Sequence, residues 1–341
     1  MTQVKLLRTF DEFRDLVAAY RLPRVLLTAL DLDLFTVLGR RSWKVSDLAK
    51  RLRVSERGLE ILCRNLASAG VLRKNHERYQ NGKLSGSVLN AKHASYRGAY
   101  LELVHSLWAN WSRLTDSVRS GLPAEPESRE DSRYRRQFTW AMHQRALEVA
   151  PKLARRIDLR GARHLLDLGG GPGTFALAFL AQNRHLRATV CDRPAAVQVA
   201  KKIARSQKDG RRLSYLPLDF VKKPIPGNYD VVWYSNILHI YSAATNEAVF
   251  RKIRGVLAPG GRLLIQDAFC WDRASLHPAE TNLFAVTMLL FTSEGNTYAA
   301  ADVAKWLKAA GFARVRRIPM PEDAADWEGG LLEASTPVLP A

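Results

Sequence analysis

Apolar residues at helical spacing dominate the first third of the chain. Two such segments, over residues 13–20 and 25–38, precede a short helical segment at 45–52 and a longer one that begins near Ser55. The leucines of 25–38 cover much of its surface, so this helix must be buried against other elements. Two extended pieces with a polar turn between them follow within 71–89. This order predicts a helix-turn-helix with a hairpin, which is a winged helix.

Two longer helical patterns, over 96–120 and 134–157, lead from this region to the rest of the chain. Their large apolar residues either line a ligand pocket or belong to the core, and the spacing does not distinguish these two roles. These residues are Trp108, Trp111, Phe138, Trp140 and Met142. We predict one domain over residues 1–95 and a second over 96–341, in which 96–157 form linking and pocket helices.

From His164 onward, short apolar strands alternate with helical patterns, which predicts a parallel, doubly wound α/β sheet. After the first strand near Leu165, further strands are predicted at 188–192, 213–218, 231–234 and 261–267. Ligands bind at the carboxyl ends of such strands. That rule gathers five side chains along one rim: Asp167, Asp192, Asp219, His239 and Asp267.

A glycine-rich turn follows the first strand, with Gly169, Gly171 and Gly173 at alternate positions after Asp167. Glycine allows positive φ and lets a ligand approach the backbone, and the next helix presents unpaired N–H groups to an anionic group. The turn lacks the lysine of a phosphate-binding P-loop and the spacing of a pyrophosphate-binding Gly-x-Gly-x-x-Gly. An acid before the glycines suits a cofactor that carries an ammonium, a sulfonium and a carboxylate. We therefore predict S-adenosyl-L-methionine (SAM).

Two further strand ends complete the predicted cofactor site. Asp192 ends the second strand about 20 residues beyond the glycine turn, where the ribose hydroxyls of a bound nucleoside would lie. Asp219 and Phe220 follow the third strand and suit an adenine amino group and ring face.

Composition narrows the class of protein. Of 341 residues, 47% are hydrophobic and 25% charged, which are ordinary values for folded domains. No apolar run approaches the roughly 20 residues of a membrane span, and the first residues lack the features of a signal peptide. We therefore expect a cytoplasmic protein without membrane contact. Three widely spaced cysteines indicate neither a disulfide framework nor a zinc site, so no metal is predicted.

The net charge of +19 is compatible with nucleic-acid binding. The basic residues are scattered over different elements, however, and the helix from Ser55 carries Glu56 and Glu60 where a recognition helix would meet DNA. We favour a scaffold or dimerisation role for the winged helix and predict no nucleic-acid partner. A winged-helix DNA regulator that senses SAM is the alternative from another class.

The chain resembles the class I SAM-dependent O-methyltransferases of the plant caffeate and bacterial polyketide type. The blocks that carry the resemblance occur in the family's order: 165–173, 191–194, 218–220, 235–239, 257–265 and 307–312. The N-terminal winged helix is similar to the family's dimerisation domain. The resemblance implies a Rossmann-like methyltransferase sheet, preceded along the chain by a mostly helical winged-helix domain. A homodimer is implied as well. It also implies O-methylation of a small hydroxylated substrate, either aromatic or polyketide-like, in secondary metabolism.

The resemblance also implies residue roles. It makes His239 the general base, Asp267 the acid that orients the histidine ring, and Ser235 a cofactor-binding residue. The family has Asp-Trp after the histidine where this chain has Ile240 and the tyrosine that follows it. Thr297 stands where the family has a second acid. We consider Glu294 a candidate substitute, and C- or N-methylation or hydroxylation by a SAM-binding relative remains an alternative.

Overall fold

The computed structural model describes residues 7–124, 131–320 and 329–338. It divides into two compact units, one comprising the described residues up to Trp108 and the other those from Ala109 onward.

The N-terminal unit is a winged helix, as predicted. Its elements are α1 (Phe10–Ala18), α2 (Arg21–Asp31), α3 (Leu34–Leu38), β1 (Trp43–Lys44), α4 (Val45–Leu52), α5 (Glu56–Ser68), β2 (Leu72–Asn75), β3 (Arg78–Asn81), α6 (Lys83–Val88) and α7 (Gly98–Ser106). The three strands form an antiparallel sheet in the order β1-β3-β2. The single helix expected over 25–38 is two helices, because Asp33 adopts a left-handed conformation with φ of 52° between α2 and α3.

The boundary expected after residue 95 lies before α7, whereas the structure groups α7 with the N-terminal unit. Side-chain contacts explain the difference. Leu101 packs against the apolar core of this unit, and His105 contacts both the Arg24 guanidinium and the Asp31 carboxylate on α2.

The second unit contains the sheet. Its helices are α8 (Trp108–Ser112), which begins at the division, α9 (Leu114–Ser120), α10 (Ser132–Ala146), α11 (Ala150–Arg156), α12 (Thr174–Gln182), α13 (Pro194–Arg205), α14 (Ala243–Val256), α15 (Ala279–Phe291) and α16 (Ala300–Ala309). Its strands are β4 (His164–Leu168), β5 (Arg187–Asp192), β6 (Leu213–Pro217), β7 (Tyr229–Ser235), β8 (Leu257–Asp267), β9 (Phe269–Cys270), β10 (Tyr298–Ala299), β11 (Arg314–Ile318) and β12 (Gly330–Ser335).

The two long helices expected over 96–120 and 134–157 are each interrupted in the structure. The first is divided into α7, α8 and α9, and the second into α10 and α11. Pro151 lies in the first turn of α11, where its missing N–H needs no partner. In the interior of a continuous helix the same residue would remove a hydrogen bond, so the chain starts a new helix there.

Seven strands form one sheet in the order β11-β12-β8-β7-β4-β5-β6. The five predicted strands, β4 to β8, pair in parallel. The two C-terminal strands, which were not predicted, add an antiparallel edge. Strand order reverses around β4, which creates the crevice where α/β sheets bind ligands.

Successive residues of the central strands face two different cores. Leu166 of β4 and Val232 of β7 belong to one apolar cluster, and their neighbours Leu165 and Val231 belong to another. Alternate side chains of a strand point to opposite faces, so the sheet is covered by packed helices on both sides. Packing on both faces holds the sheet in place, and with it the carboxyl ends of the strands, which carry the predicted site.

Within the described residues, no helix is both long and apolar enough to cross a bilayer. The same residues contain no group of three or more His, Cys, Asp or Glu side chains arranged to hold a metal ion.

Candidate active site

The glycine turn between β4 and α12 has the conformation that its sequence suggests. Gly169, Gly171 and Gly173 have φ of 72°, 48° and 70°. A Cβ atom at Gly169 would lie 2.5 Å from Cδ1 of Ile237, so a larger residue there would force the Ile237 side chain after β7 to move. The Gly169 N–H donates to the Cys191 carbonyl at 2.8 Å, which fixes the turn beside the end of β5.

Asp167 lies beneath this turn with 2% of its surface exposed. Burial is the main cause that raises the pKa of its carboxyl to about 7; a backbone hydrogen bond from Ala176 opposes this shift and the nearby Asp192 carboxylate adds to it. Its Oδ2 atom has no hydrogen-bond partner in the described chain. A buried carboxylate needs a donor or a counter-charge. The position therefore fits a cationic ligand such as SAM.

Asp192 at the end of β5 is oriented by two backbone donors. Its Oδ2 accepts from the Gly171 N–H at 2.8 Å, and its Oδ1 accepts from the Arg193 N–H at 2.6 Å. Burial raises its pKa, although these two bonds and the charges of Arg135 and Arg193 act in the opposite direction. The carboxylate is thus held beside the glycine turn.

The segment after β6 carries Asp219 and Phe220. Asp219 Oδ1 accepts from the N–H groups of Val221 and Lys222 at 3.2 and 3.3 Å. Phe220 is only 6% exposed and packs edge-on against Tyr234. The contacts of Asp219 and Phe220 with adenine stay predictions.

Ser235 links the ends of β7 and β8. Its hydroxyl donates to Gln266 Oε1 at 2.6 Å and accepts from Asn236 Nδ2 at 3.0 Å. Asn236 adopts a left-handed conformation with φ of 57°, and its N–H donates to the Gln266 carbonyl at 2.9 Å. This network turns the chain sharply toward His239.

His239 and Asp267 come together at the ends of β7 and β8. The His239 Nδ1 atom lies 2.8 Å from Asp267 Oδ1, the Asp267 side chain is fully buried and the histidine side chain is 9% exposed. The Asp267 carboxyl also accepts from the N–H groups of Ile237 and Ala268, at 3.1 and 2.8 Å. Because backbone N–H groups only donate, these contacts orient the carboxyl as an acceptor. Nδ1–H then donates to it, and Nε2 carries the lone pair.

The segment from Thr292 to Thr297 packs against the backbone of His239. The Asn296 N–H donates to the His239 carbonyl at 2.9 Å, and a Cβ at Gly295 would lie 2.5 Å from the same oxygen. The carboxylate of Glu294 is exposed and accepts from the Thr245 hydroxyl at 3.3 Å. Glu294 therefore contacts α14 in this structure, and among the described residues no hydrogen bond connects it to the His239 ring.

Helix α10 brings one side chain that the sequence did not indicate, His143, next to the glycine turn. His143 Nδ1 lies 2.8 Å from the hydroxyl of Thr174, the first residue of α12 after the glycine turn. Trp140 packs edge-on against His143 at 5.8 Å between ring centroids. Nothing in the local sequence indicates this contact, because it depends on how two distant helices pack. Phe138 and Trp140 are 41% and 39% exposed, so they do not belong to the buried core of the described chain.

Comparison with known proteins supports a single assignment. Residues 111–313 match the family model for the O-methyltransferase domain, and residues 14–91 match that for the O-methyltransferase dimerisation domain. The chain is 29% identical to a 3-hydroxy-5-methyl-1-naphthoate 3-O-methyltransferase of Streptomyces sahachiroi over 92% of each chain. It is 30% identical to the tetracenomycin polyketide synthesis 8-O-methyl transferase TcmO of Streptomyces glaucescens, over 88% of this chain and 91% of that one. Human N-acetylserotonin methyltransferase, solved in complex with SAM, superposes with a TM-score of 0.84 at 22% identity, covering 98% of this chain and 99% of that one.

Proposed function

The chain belongs to the O-methyltransferase family, and on that basis we propose that His239 removes the proton of an aromatic hydroxyl as the hydroxyl oxygen is methylated. The chain is a SAM-dependent methyltransferase, and SAM supplies the methyl group from its sulfonium. The observation that carries the proposal is the buried contact between His239 Nδ1 and Asp267 at 2.8 Å.

The proposed cofactor site uses the glycine turn and the strand ends beside it. Asp167 supplies a buried acceptor for a cationic group, and Asp192 supplies a fixed carboxylate for two ribose hydroxyls. The backbone of Gly169, Gly171 and Gly173 lines the approach between them. Asp219, Phe220 and Ser235 complete the set that we assign to the adenosine end.

The proposed role of His239 follows from the orientation of its ring. With Nδ1–H donating to Asp267, Nε2 can accept the proton of the substrate hydroxyl as its oxygen attacks. The resulting imidazolium is stabilised by the adjacent Asp267 carboxylate, 2.8 Å from Nδ1. A positioned general base of this kind contributes about 10²- to 10⁴-fold to the rate. Asp267 is a positioning residue, since it acts through the ring.

We propose a fused aromatic hydroxyl as the substrate class. The two relatives from Streptomyces are named for methylation of a naphthoate and of a polyketide. The Phe284 ring lies edge-on to the imidazole of His239, with 4.7 Å between the ring centroids, and supplies an apolar surface beside it. Such a surface suits a flat aromatic acceptor more than a sugar hydroxyl.

A panel assay tests this function. The protein is incubated with SAM and matched pairs of hydroxynaphthoates and aminonaphthoates, and products heavier by one CH₂ are identified by mass spectrometry. We expect methylation of hydroxyl compounds and loss of their exchangeable O–H signal. Methylation of the amines alone would favour the alternative of N-methylation.

We also propose that the protein is a homodimer assembled through its N-terminal unit. The match of residues 14–91 to the dimerisation domain supports this proposal. So does α1, in which no residue is buried and in which Phe10, Phe13, Leu16 and Val17 are all more than half exposed. An isolated helix of nine residues is marginal in water, so its apolar face calls for a partner surface. The absence of a nucleic-acid partner and the cytoplasmic location stay predictions.

A further inference from the structure

A cleft of about 700 Å³ lies in the N-terminal unit, next to the end of α3. Its volume is in the range of small-molecule sites. Four cationic side chains line it: Arg40, Arg41, Arg51 and Lys92. We call this feature the cationic cleft.

The charges of the cationic cleft are not compensated within the described chain. None of its four cationic side chains makes an ion pair or a side-chain hydrogen bond there, unlike Lys74 on β2, which pairs with Glu60 at 3.0 Å. Asp33 is the one acidic residue in the lining, so four positive charges and one negative charge leave a net charge of +3. Like charges that converge on a concave surface raise the local concentration of anions.

Two neutral donors in the lining are also without acceptors. Asn90 is 8% exposed, and its Oδ1 accepts from the Lys92 N–H at 3.0 Å. This bond fixes the orientation of the amide, and its Nδ2 group has no partner in the described chain. The Nε1 atom of Trp43 is buried and likewise without a partner. An unsatisfied buried donor is costly, so the Trp43 indole N–H and the Asn90 amide add donors that still need an acceptor to the four cationic groups.

We propose that the cationic cleft binds a phosphate-bearing small molecule, a function separate from methyl transfer. Guanidinium groups donate in planar pairs that match phosphate oxygens. Three arginines, a lysine and an amide offer more donors than one carboxylate could accept, whereas a phosphate ester or a pyrophosphate has enough oxygens. A net charge of +3 also matches a multiply charged anion. SAM contains no phosphate, so the ligand of the cleft is distinct from the cofactor.

Calorimetry on the intact protein saturated with S-adenosylhomocysteine tests the proposal, because the glycine turn is then occupied. The titrants are inorganic phosphate, pyrophosphate and AMP at physiological salt. We expect one pyrophosphate per chain, and an affinity about tenfold lower for Arg51→Ala, which removes one charge-assisted contact. Asn90→Asp keeps the acceptor for the Lys92 N–H but replaces the donor by an anion, so we expect a similar loss.

A matched control is Arg57→Ala, which removes the same charge from an exposed site on α5 outside the cleft. It should leave pyrophosphate affinity unchanged, and all variants should retain the melting temperature of the wild type.

Tighter binding of AMP than of inorganic phosphate would identify the ligand as a nucleotide, with Trp43 beside the base. Equal binding of the two would identify the phosphate group alone as the recognised part. The proposal is overturned if the wild type binds no pyrophosphate, or if Arg57→Ala weakens binding as much as Arg51→Ala. Binding of duplex DNA without binding of pyrophosphate or AMP would also overturn it.

Discussion

At the scale of single residues, the chemistry depends on which histidine nitrogen can accept a proton. The Asp267 carboxyl is held by backbone donors on both of its oxygens, so it cannot rotate away from the ring without losing them. Orientation of the base is therefore supplied by the backbone after β7 and β8. Thr297, where the family has a second acid, does not take part in this arrangement.

The proposed base is tested by His239→Ala and Asp267→Asn. The first should lower kcat by about 10²-fold or more with S-adenosylhomocysteine affinity retained, because the proton acceptor is lost and the cofactor site is not. Asp267→Asn should have a smaller effect, since the base remains but its ring is less well oriented. An acidic phenol needs less assistance, so the loss should be greatest for the least acidic hydroxyl. Full activity of His239→Ala on every substrate would contradict the assignment.

The cofactor residues are tested by calorimetry with S-adenosylhomocysteine. Asp192→Ala removes a carboxylate that backbone donors already orient, so we expect it to lose most of the affinity, by about tenfold or more. A matched control is Asp209→Ala, which removes an acid beyond α13 that pairs with Arg212. Equal affinities of Asp192→Ala and wild type would exclude the proposed ribose contact.

Asp167 leads to a pH-dependent prediction of stability. In the folded protein its pKa is about 7, and its ordinary value is 3.8. Between about pH 4 and pH 7 the folded state therefore retains a proton that the unfolded state has released, so the free energy of unfolding falls as pH rises through this window. The loss is at most about 4 kcal/mol. We expect Asp167→Asn to reduce the decrease in melting temperature between pH 5 and pH 8. An unchanged decrease would show that Asp167 ionises normally.

The sequence is informative about these residues to different degrees. The positions of Asp167 in β4 and of Asp192 at the end of β5 could be predicted, because strand ends and glycine spacing are local signals. His239 and Asp267 lie 28 positions apart, and their place at neighbouring strand ends and the family resemblance together suggested that they meet. His143 could not be predicted, since its contact with Thr174 joins α10 to α12 and no spacing encodes it.

At the scale of elements, periodicity predicts the parallel strands well and helix interruptions poorly. The central strands β4 and β7 are mostly buried apolar runs, and burial on both faces produces such runs directly. By contrast, β12 contains Glu333, whose carboxylate pairs with Arg262 and Arg316. A buried charge that depends on partners from two other strands cannot be recognised in a local pattern.

The glycine turn provides a prediction at this scale. Gly169 and Gly121 have nearly equal φ, 72° and 71°, so alanine at either position incurs a similar conformational cost of about 1–2 kcal/mol. A Cβ at Gly121 meets no atom within 4 Å, whereas one at Gly169 meets Ile237 at 2.5 Å. Gly169→Ala should therefore reduce S-adenosylhomocysteine affinity by about tenfold or more, and Gly121→Ala should not. If Gly169→Ala and the wild type bind S-adenosylhomocysteine with equal affinity in calorimetry, the glycine turn tolerates a side chain at this position.

At the scale of the whole molecule, the two units differ in how their apolar surface is covered. The sheet of the second unit is packed on both faces. In the N-terminal unit the core formed around Leu34, Leu48 and Leu66 is buried, but α1 contributes no buried residue to it. The sequence predicted the winged helix from its order of elements. It could not show which apolar residues remain exposed, because that depends on the packing of α1 against other helices.

The exposed face of α1 leads to the last prediction, which concerns assembly. Sedimentation of the wild type at micromolar concentration should give twice the chain mass of 38.3 kDa. Leu16→Glu places a carboxylate in the middle of the proposed interface, where burial without a partner is costly, so the dissociation constant should rise by about 100-fold or more. Leu84→Glu is the matched control, because Leu84 on α6 is 72% exposed and lies on another element. If Leu16→Glu remains a dimer and Leu84→Glu becomes a monomer, the interface involves α6 and not α1. A monomeric wild type would exclude the homodimer. Because α1 contributes nothing to the core of its own unit, Leu16→Glu should change the mass distribution without lowering the unfolding temperature of the monomer.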